Sequence, residues 1–421
     1  MASTGVGPTL PSDGSGQPAT GLMPRGPVRA GERTLAPDVA RGAALLGIAL
    51  ANAPIHLWGR ATGPGSRPRD GSEADRAVDV LVSLLADNRS YPLFALLLGY
   101  GTWQLATRQL RHGTAAAQVK RLLLRRSAAL VALGLAHALL LFSGDILGLY
   151  GLLSLALVAL LGARDRTLLL LAGGFAVPLA VLSALDGLSG PLGADPTTES
   201  GVLTAASWLP AVGDRLVVWT SGLAAAPLLG IGLLTPMLVG MVLARHGVLE
   251  TPERHVRLLR RLTTAGIAVS LFGGLPFALV VGGVLDPPVP APALAALHGL
   301  TGTAGGIGYV ALVALLVRRR SGGGGVVGAL AATGQRSLSA YLLQSVLLTP
   351  LLAPWALGWG EDLGTAAVTV LGVAVWLASV VACAALAARG RRGPAEVLLR
   401  RLVYGPGQPT ERQGRDRRSA T

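Results

Sequence analysis

Charge is scarce in this sequence. Only 14% of its 421 residues are Asp, Glu, Lys or Arg, where soluble globular domains carry about 25%. The shortfall, with 51% hydrophobic residues and recurring apolar runs, excludes an ordinary soluble domain and points to a multi-spanning membrane protein. Cysteine is nearly absent. The single Cys383 excludes an intramolecular disulfide and a cysteine-built zinc site. Lysine is represented by Lys120 alone, so the basic side chains are otherwise arginine. Aromatics make up 4%, too few for base-stacking platforms, and the net charge of +14 therefore does not read as nucleic-acid binding. Catalytic motifs are missing too. "SGGGGVVG" lacks the lysine of a phosphate loop, and no HExxH, GxSxG or metal-ligand spacing occurs. No metal and no resident cofactor is expected.

What is present is a succession of apolar segments. A polar, Gly/Pro/Ser-rich stretch over 1–32 predicts a disordered cytoplasmic tail. Its length, and the apolar run continuing past "ANA", argue against a cleaved signal peptide. A membrane domain is expected over 33–405 and a disordered basic tail over 406–421. A spanning helix needs about 20 residues. Ten candidates occur, at 38–58, 90–108, 122–142, 146–163, 167–187, 222–244, 262–284, 294–317, 337–357 and 365–388, with an outer loop over 188–221. Two charged amphipathic stretches, 73–86 and 394–404, predict helices lying at the interface. With the amino terminus in the cytoplasm, 30 of the 36 basic residues fall on inner segments and six on outer ones, as the positive-inside rule requires. The expected fold is an all-α polytopic bundle of about ten spans, both termini cytoplasmic.

Polar residues inside such spans are costly and so are candidate functional groups. In the first span Arg41, Asn52 and His56 lie on one helical face, Asp38 is one turn before Arg41, and Arg41 and Asn52 stand about 16 Å apart along the axis. An anchoring role, with Arg41 reaching the interface and Asp38 neutralising it, is the competing explanation. In "GLAHALLLFSGDILGLYGLLSL", His137 lies in the third span and Asp145 opens the fourth, which also carries Tyr150. The two spans are antiparallel neighbours, so His137 and Asp145 can meet and are the candidate catalytic pair, although Asp145 could also simply cap its helix. In "TGQRSLSAYLLQSVLLTP", Gln335 and Arg336 sit at the inner mouth of the ninth span, and Ser337, Tyr341, Gln344 and Ser345 share one face. They are a polar track or interhelical glue. Arg89, an outward arginine at the second span, suits an anion or an acidic partner, or pairs with Asp87.

Four stretches, "RTLAPDVARGAALLGIALAN", "GLAHALLLFSGDILGLYGLLSL", "TGQRSLSAYLLQSVL" and "RGPAEVLLRRLVYG", together resemble the bacterial membrane family known as domain of unknown function 418 (YeiB-like). The resemblance implies an integral inner-membrane protein of poorly established activity. The front is also similar, more faintly, to membrane acyltransferase family 3, at Arg33, Asp38 and Arg41-Gly42. That family's histidine position is Asn52 here, and an amide is not a general base near pH 7. Acyl transfer would have to draw its base from His137 or His56, with an acyl donor as substrate.

The function these residues favour is a transporter or exporter of a small or amphiphilic solute; the alternatives are an acyltransferase-like enzyme modifying a lipid or cell-surface glycan, and a non-catalytic assembly partner. The bilayer is the expected partner, with an unidentified small-molecule or lipid substrate and no nucleic acid. A closed-ended pocket within reach of His137 or His56 favours the enzyme. A continuous polar route favours transport.

Overall fold

The computed structural model describes residues 34–188, 205–228, 230–286, 289–320 and 324–405. The expected tails at 1–32 and 406–421, and Arg33, lie outside the described residues. Fourteen α-helices are described: α1 (Leu35–Asn52), α2 (Glu73–Leu85), α3 (Ser90–Arg111), α4 (Ala116–Leu140), α5 (Leu147–Ala159), α6 (Asp165–Ala184), α7 (Trp208–Ala225), α8 (Leu234–Arg245), α9 (Val256–Val281), α10 (Ala291–Val317), α11 (Gly325–Gln335), α12 (Ser337–Leu352), α13 (Thr365–Ala388) and α14 (Pro394–Tyr404). The described residues hold no β-strand beyond an isolated bridge between Thr62 and Pro68. The fold is all-α, as the composition implies.

Among the described residues seven helical stretches are long and apolar enough to cross a membrane: 35–56, 73–111, 116–140, 165–187, 252–281, 291–317 and 365–388. An eighth arises if α7 and the stretch from Gly230 to Arg245 form one bent span, and α5 and α12 are shorter apolar helices. Each of the ten apolar segments therefore meets a helix. Large apolar side chains point outward, including Phe272 at 80% exposure and Val370 at 70%, which suits hydrocarbon rather than water around the bundle.

Two helices stand where the sequence suggests loops. α7 occupies much of the expected loop 188–221, of which 189–204 lie outside the described residues. Its polarity is inverted: Arg215 is buried while Leu209 and Val217 are exposed. A charge in an apolar stretch reads as a loop signal only if it faces water. Here it faces the bundle. α11 likewise fills part of the expected inner segment before Arg336.

Local chemistry sets the helix ends. α1 stops at Asn52 because Pro54 follows, and a short 3-10 turn over Ala53–His56 carries the chain on. α2 begins with a capping box between Ser72 and Asp75, and Asp75 also accepts from the Ala366 N–H at 2.7 Å, at the start of α13. Thus the 73–86 stretch is a helix, with Asp75 and Asp79 buried and Leu81 and Leu85 exposed. α14 performs the same service for α12: Glu396 accepts from the backbone N–H groups of Leu338 and Ser339 at 2.9 and 3.1 Å.

Helices touch backbone to backbone at paired glycines. A Cβ at Gly42 of α1 would stand 2.1 Å from the Leu330 carbonyl of α11, and one at Gly334 of α11 would stand 1.8 Å from the Asp38 carbonyl. Small residues allow this close approach, and in lipid such packing is a main source of association. Gly334→Val should force α1 and α11 apart and cost about 3 kcal/mol or more, as overpacking against rigid backbone does at its upper end. Unfolding in detergent that matches the parent protein would show the contact to be dispensable.

Candidate functional site

α4 ends at Leu140, and the chain turns through "FSGD" into α5. Asp145 sits at that turn with a double task. Its Oδ2 accepts from the Gly148 N–H at 2.8 Å, capping α5. Its Oδ1 lies 2.8 Å from His137 Nδ1. The turn can fold this tightly onto α4 because residue 134 is glycine: a Cβ there would come within 2.4 Å of Asp145 Oδ2. The side chains of His137 and Asp145 are fully buried.

The other ring nitrogen of His137, Nε2, is 2.8 Å from Ser345 Oγ on α12. A carboxylate can only accept, so Asp145 holds the proton on Nδ1. Nε2 is then the lone pair that accepts from the Ser345 hydroxyl. The result is an acid–imidazole–hydroxyl relay with the donor–acceptor order of a serine triad. Tyr341, one turn before Ser345, places its ring 5.1 Å from the His137 ring.

The relay adjoins a cavity. Phe142 lies 6.3 Å from the His137 ring and stacks on His56 at 4.8 Å and 10°. Beyond it, Ile55, His56, Trp58, Phe142, Arg215 and Trp355 line much of a space of about 40 Å³. His56 donates from Nδ1 to the Asn52 carbonyl at 3.1 Å, and its Nε2 is buried without a hydrogen-bond partner. Asn52 itself is half-buried.

The first, third and ninth expected spans correspond to α1, α4 and α12, and they do adjoin. His137 joins α4 to α12, and Gln344 joins α12 to α1 by donating to the Leu45 carbonyl at 3.2 Å. Arg41 and Asp38 pair at 2.9 Å at the opposite end of α1. Between them and His56, Leu45 and Ile48 are packed in the core, so the polar face is interrupted. Arg336 donates to the carbonyls of Arg391 and Ala332, tying α11 to the segment before α14. Gln335 and Ser337 flank it, half-buried, about 12 Å or more from Ser345 by helical rise. Tyr150 donates to the Tyr91 carbonyl at 2.6 Å, joining α5 to α3.

Arg89 belongs to a second buried cluster. It is fully buried. Its Nε donates to Ser270 Oγ at 2.9 Å and its Nη2 to the Ser270 carbonyl at 2.9 Å. Its Nη1 donates to the carbonyls of Ser83 and Asp87 at 3.0 and 2.7 Å and meets His298 Nε2 at 3.0 Å. The Asp87 carboxylate pairs instead with Arg67 at 2.7 Å, and Arg67 also meets Asp79 at 3.0 Å.

Sequence reasoning does not single out Arg215 or His298, and it takes Ser345 only as one of four polar residues on a face. His298 carried a usable signal, a histidine inside an apolar run. Ser345 carried none, since its partner is 208 residues away.

Residues 243–406 match the family model described as Protein of unknown function (DUF418). The chain is 27% identical over 361 residues to the Uncharacterized protein YxaH of Bacillus subtilis (strain 168), covering 80% of this chain and 85% of that protein. It is 28% identical over 398 residues to the Uncharacterized protein YeiB of Escherichia coli (strain K12), covering 90% and 98%. The resemblance seen in the four sequence stretches is thereby borne out.

Proposed function

We propose, for a chain similar to the DUF418 family, a membrane-embedded acyltransferase that moves an acyl group onto a hydroxyl of a lipid or cell-surface glycan. The observation that carries this reading is the relay: Ser345 Oγ at 2.8 Å from His137 Nε2, and His137 Nδ1 at 2.8 Å from Asp145. In the first half-reaction the Ser345 oxygen bonds to the acyl carbonyl carbon as its proton passes to Nε2. The donor's leaving group departs and takes that proton. In the second half the acceptor hydroxyl repeats the exchange and frees Ser345. Asp145 holds the imidazole in one tautomer and balances its charge while it carries the proton. His137 thereby supplies the base that Asn52, at the histidine position of the acyltransferase-like pattern, lacks.

A solute route is less well supported. It needs a continuous polar face from Arg41 to His56, and the packed Leu45 and Ile48 interrupt it. The bland alternative of an assembly partner expects every buried polar atom to be paired, and His56 Nε2 and Arg215 Nη2 are not. The proposal includes ten spans, counting α5, α12 and one bent span through α7 and α8, with both termini in the cytoplasm and the protein in a bacterial plasma membrane.

Purified protein in liposomes, given a short-chain acyl thioester, should release thiol at a rate that requires both His137 and Ser345. Release that is equal in the parent protein and in Ser345→Ala contradicts the reading.

A further inference from the structure

The second half-reaction needs an acceptor, and the cavity beside Phe142 has a composition that selects one. Arg215 is 3% exposed. Its Nε donates to the Leu139 carbonyl at 2.9 Å, which satisfies part of the carboxy-terminal end of α4, where a cation is also favoured by the helix dipole. That role uses one nitrogen. Nη2 is buried and has no hydrogen-bond partner, and the neighbouring Asp214 carboxylate acts on the guanidinium through space without a direct ion pair. The other buried arginines differ. Arg67 pairs with two aspartates, Arg89 spends its donors on five neutral acceptors, and Arg336 donates to carbonyls. A buried charge with an idle donor is costly and is stabilised by an anion that fills the gap.

The second open group has the opposite hydrogen-bonding sense. The Asn52 carbonyl can only accept, so Nδ1 of His56 carries the proton and Nε2 is a lone pair. That atom is buried without a partner. His56 and Arg215 both line the cavity, which therefore offers one cationic donor and one neutral acceptor. Trp355, whose ring lies 5.9 Å from the Arg215 guanidinium carbon, and Trp58 form its aromatic wall.

We propose that this cavity binds the acyl acceptor, and that the acceptor is an anionic polyol: its oxyanion rests on Arg215 Nη2, one hydroxyl donates to His56 Nε2, and a second hydroxyl is left to give its proton to His137. The glycerol phosphate group, whether in a lipid headgroup or free, has this chemistry. The assignment of the ligand as acceptor rests on the acyl-transfer reading. Binding itself does not, and it can be measured without turnover.

The test is tryptophan fluorescence of the detergent-solubilised full chain, with Trp355→Phe to assign the signal. Short-chain phosphatidylglycerol should give a saturable change. Arg215→Gln should weaken it by about tenfold or more, as loss of one partner of a buried charged contact does. Phosphatidylmethanol, which keeps the phosphodiester and lacks the hydroxyls, should bind several-fold more weakly to the parent protein. In His56→Phe, which preserves an aromatic ring against Phe142, that preference should vanish. Free glycerol phosphate binding in the same Arg215-dependent way assigns the site to the headgroup chemistry alone, and a response limited to the lipid assigns it to a membrane amphiphile. Arg215→Lys, which keeps the charge and loses the fork, serves where the glutamine variant is unstable, with reduced affinity expected. Equal affinity in the parent protein and the folded Arg215 variants overturns the proposal, as does equal affinity for the two lipids. Ser345→Ala should bind as the parent does, so a failure of acyl transfer and a failure of acceptor binding are separable.

Discussion

Replacing His137 with glutamine lowers acyl transfer by about three orders of magnitude or more, the range seen when an essential base is removed from such a relay. Glutamine is close to histidine in reach and polarity. It can still hydrogen-bond to Asp145 and to Ser345, so the packing of α4 against α12 is largely kept. It cannot accept a proton. A loss of rate with protein level and thermal unfolding near those of the parent therefore isolates the base function. Asp145→Asn should lose nearly as much. The amide oxygen can still accept from the Gly148 N–H, preserving the cap on α5, while its amino group faces Nδ1 as a donor and turns the imidazole to the wrong tautomer. A helix-cap role alone predicts the reverse: Asp145→Asn active, and Asp145→Ala unstable. The comparison is made on thiol release in liposomes, with each variant's unfolding midpoint beside it.

The largest effect on stability should come from Arg89, a residue outside the relay. Arg89→Met removes a fully buried guanidinium and takes a donor from the carbonyls of Ser83, Asp87 and Ser270 and from the Ser270 hydroxyl. Exchanging a buried ion pair for apolar groups can be neutral when both partners leave together. Here only one side leaves, and each orphaned acceptor costs about 1–3 kcal/mol. A total of about 3–5 kcal/mol is expected. Lysine should not rescue it, because one ammonium cannot reach acceptors on α9 and on the turn before α3 together. Tyr150→Phe, which removes a single hydrogen bond to the Tyr91 carbonyl, sets the scale at about 1 kcal/mol. Detergent unfolding of the three proteins tests the order. If Arg89→Met unfolds with the parent, the cluster is not what fastens α3 to α9 and α10.

These two residues also mark what the sequence can convey. Arg89 stands out as an outward arginine, and an anion or a neighbouring acid is the natural expectation for it. Its actual acceptors are neutral, because Asp87 turns its carboxylate to Arg67 and leaves only its carbonyl. His137 and Asp145 are legible as a pair, since a tight turn between two apolar segments forces antiparallel neighbours. Ser345 is not. Tyr341, Gln344 and Ser345 share a face, and only the tertiary packing shows that Gln344 turns to the Leu45 carbonyl while Ser345 turns to His137. The all-helical class and the apolar segments follow from composition and period. α7 does not, because its one buried arginine and its exposed leucine and valines invert the usual sense of an amphipathic helix. The single polar track from Arg41 to His137 likewise looks continuous on a helical wheel. A wheel shows angle and omits depth, and at the depth of Leu45 and Ile48 the face is filled by apolar packing.

The central claim is that His137 activates the Ser345 hydroxyl. It is tested most directly by treating membranes with an alkyl fluorophosphonate and locating the adduct by peptide mass spectrometry. The expected adduct is on Ser345, and it should disappear in His137→Gln, whose serine is intact and no longer relieved of its proton. A protein that remains unmodified at Ser345, or one whose modification is the same with and without His137, contradicts the account.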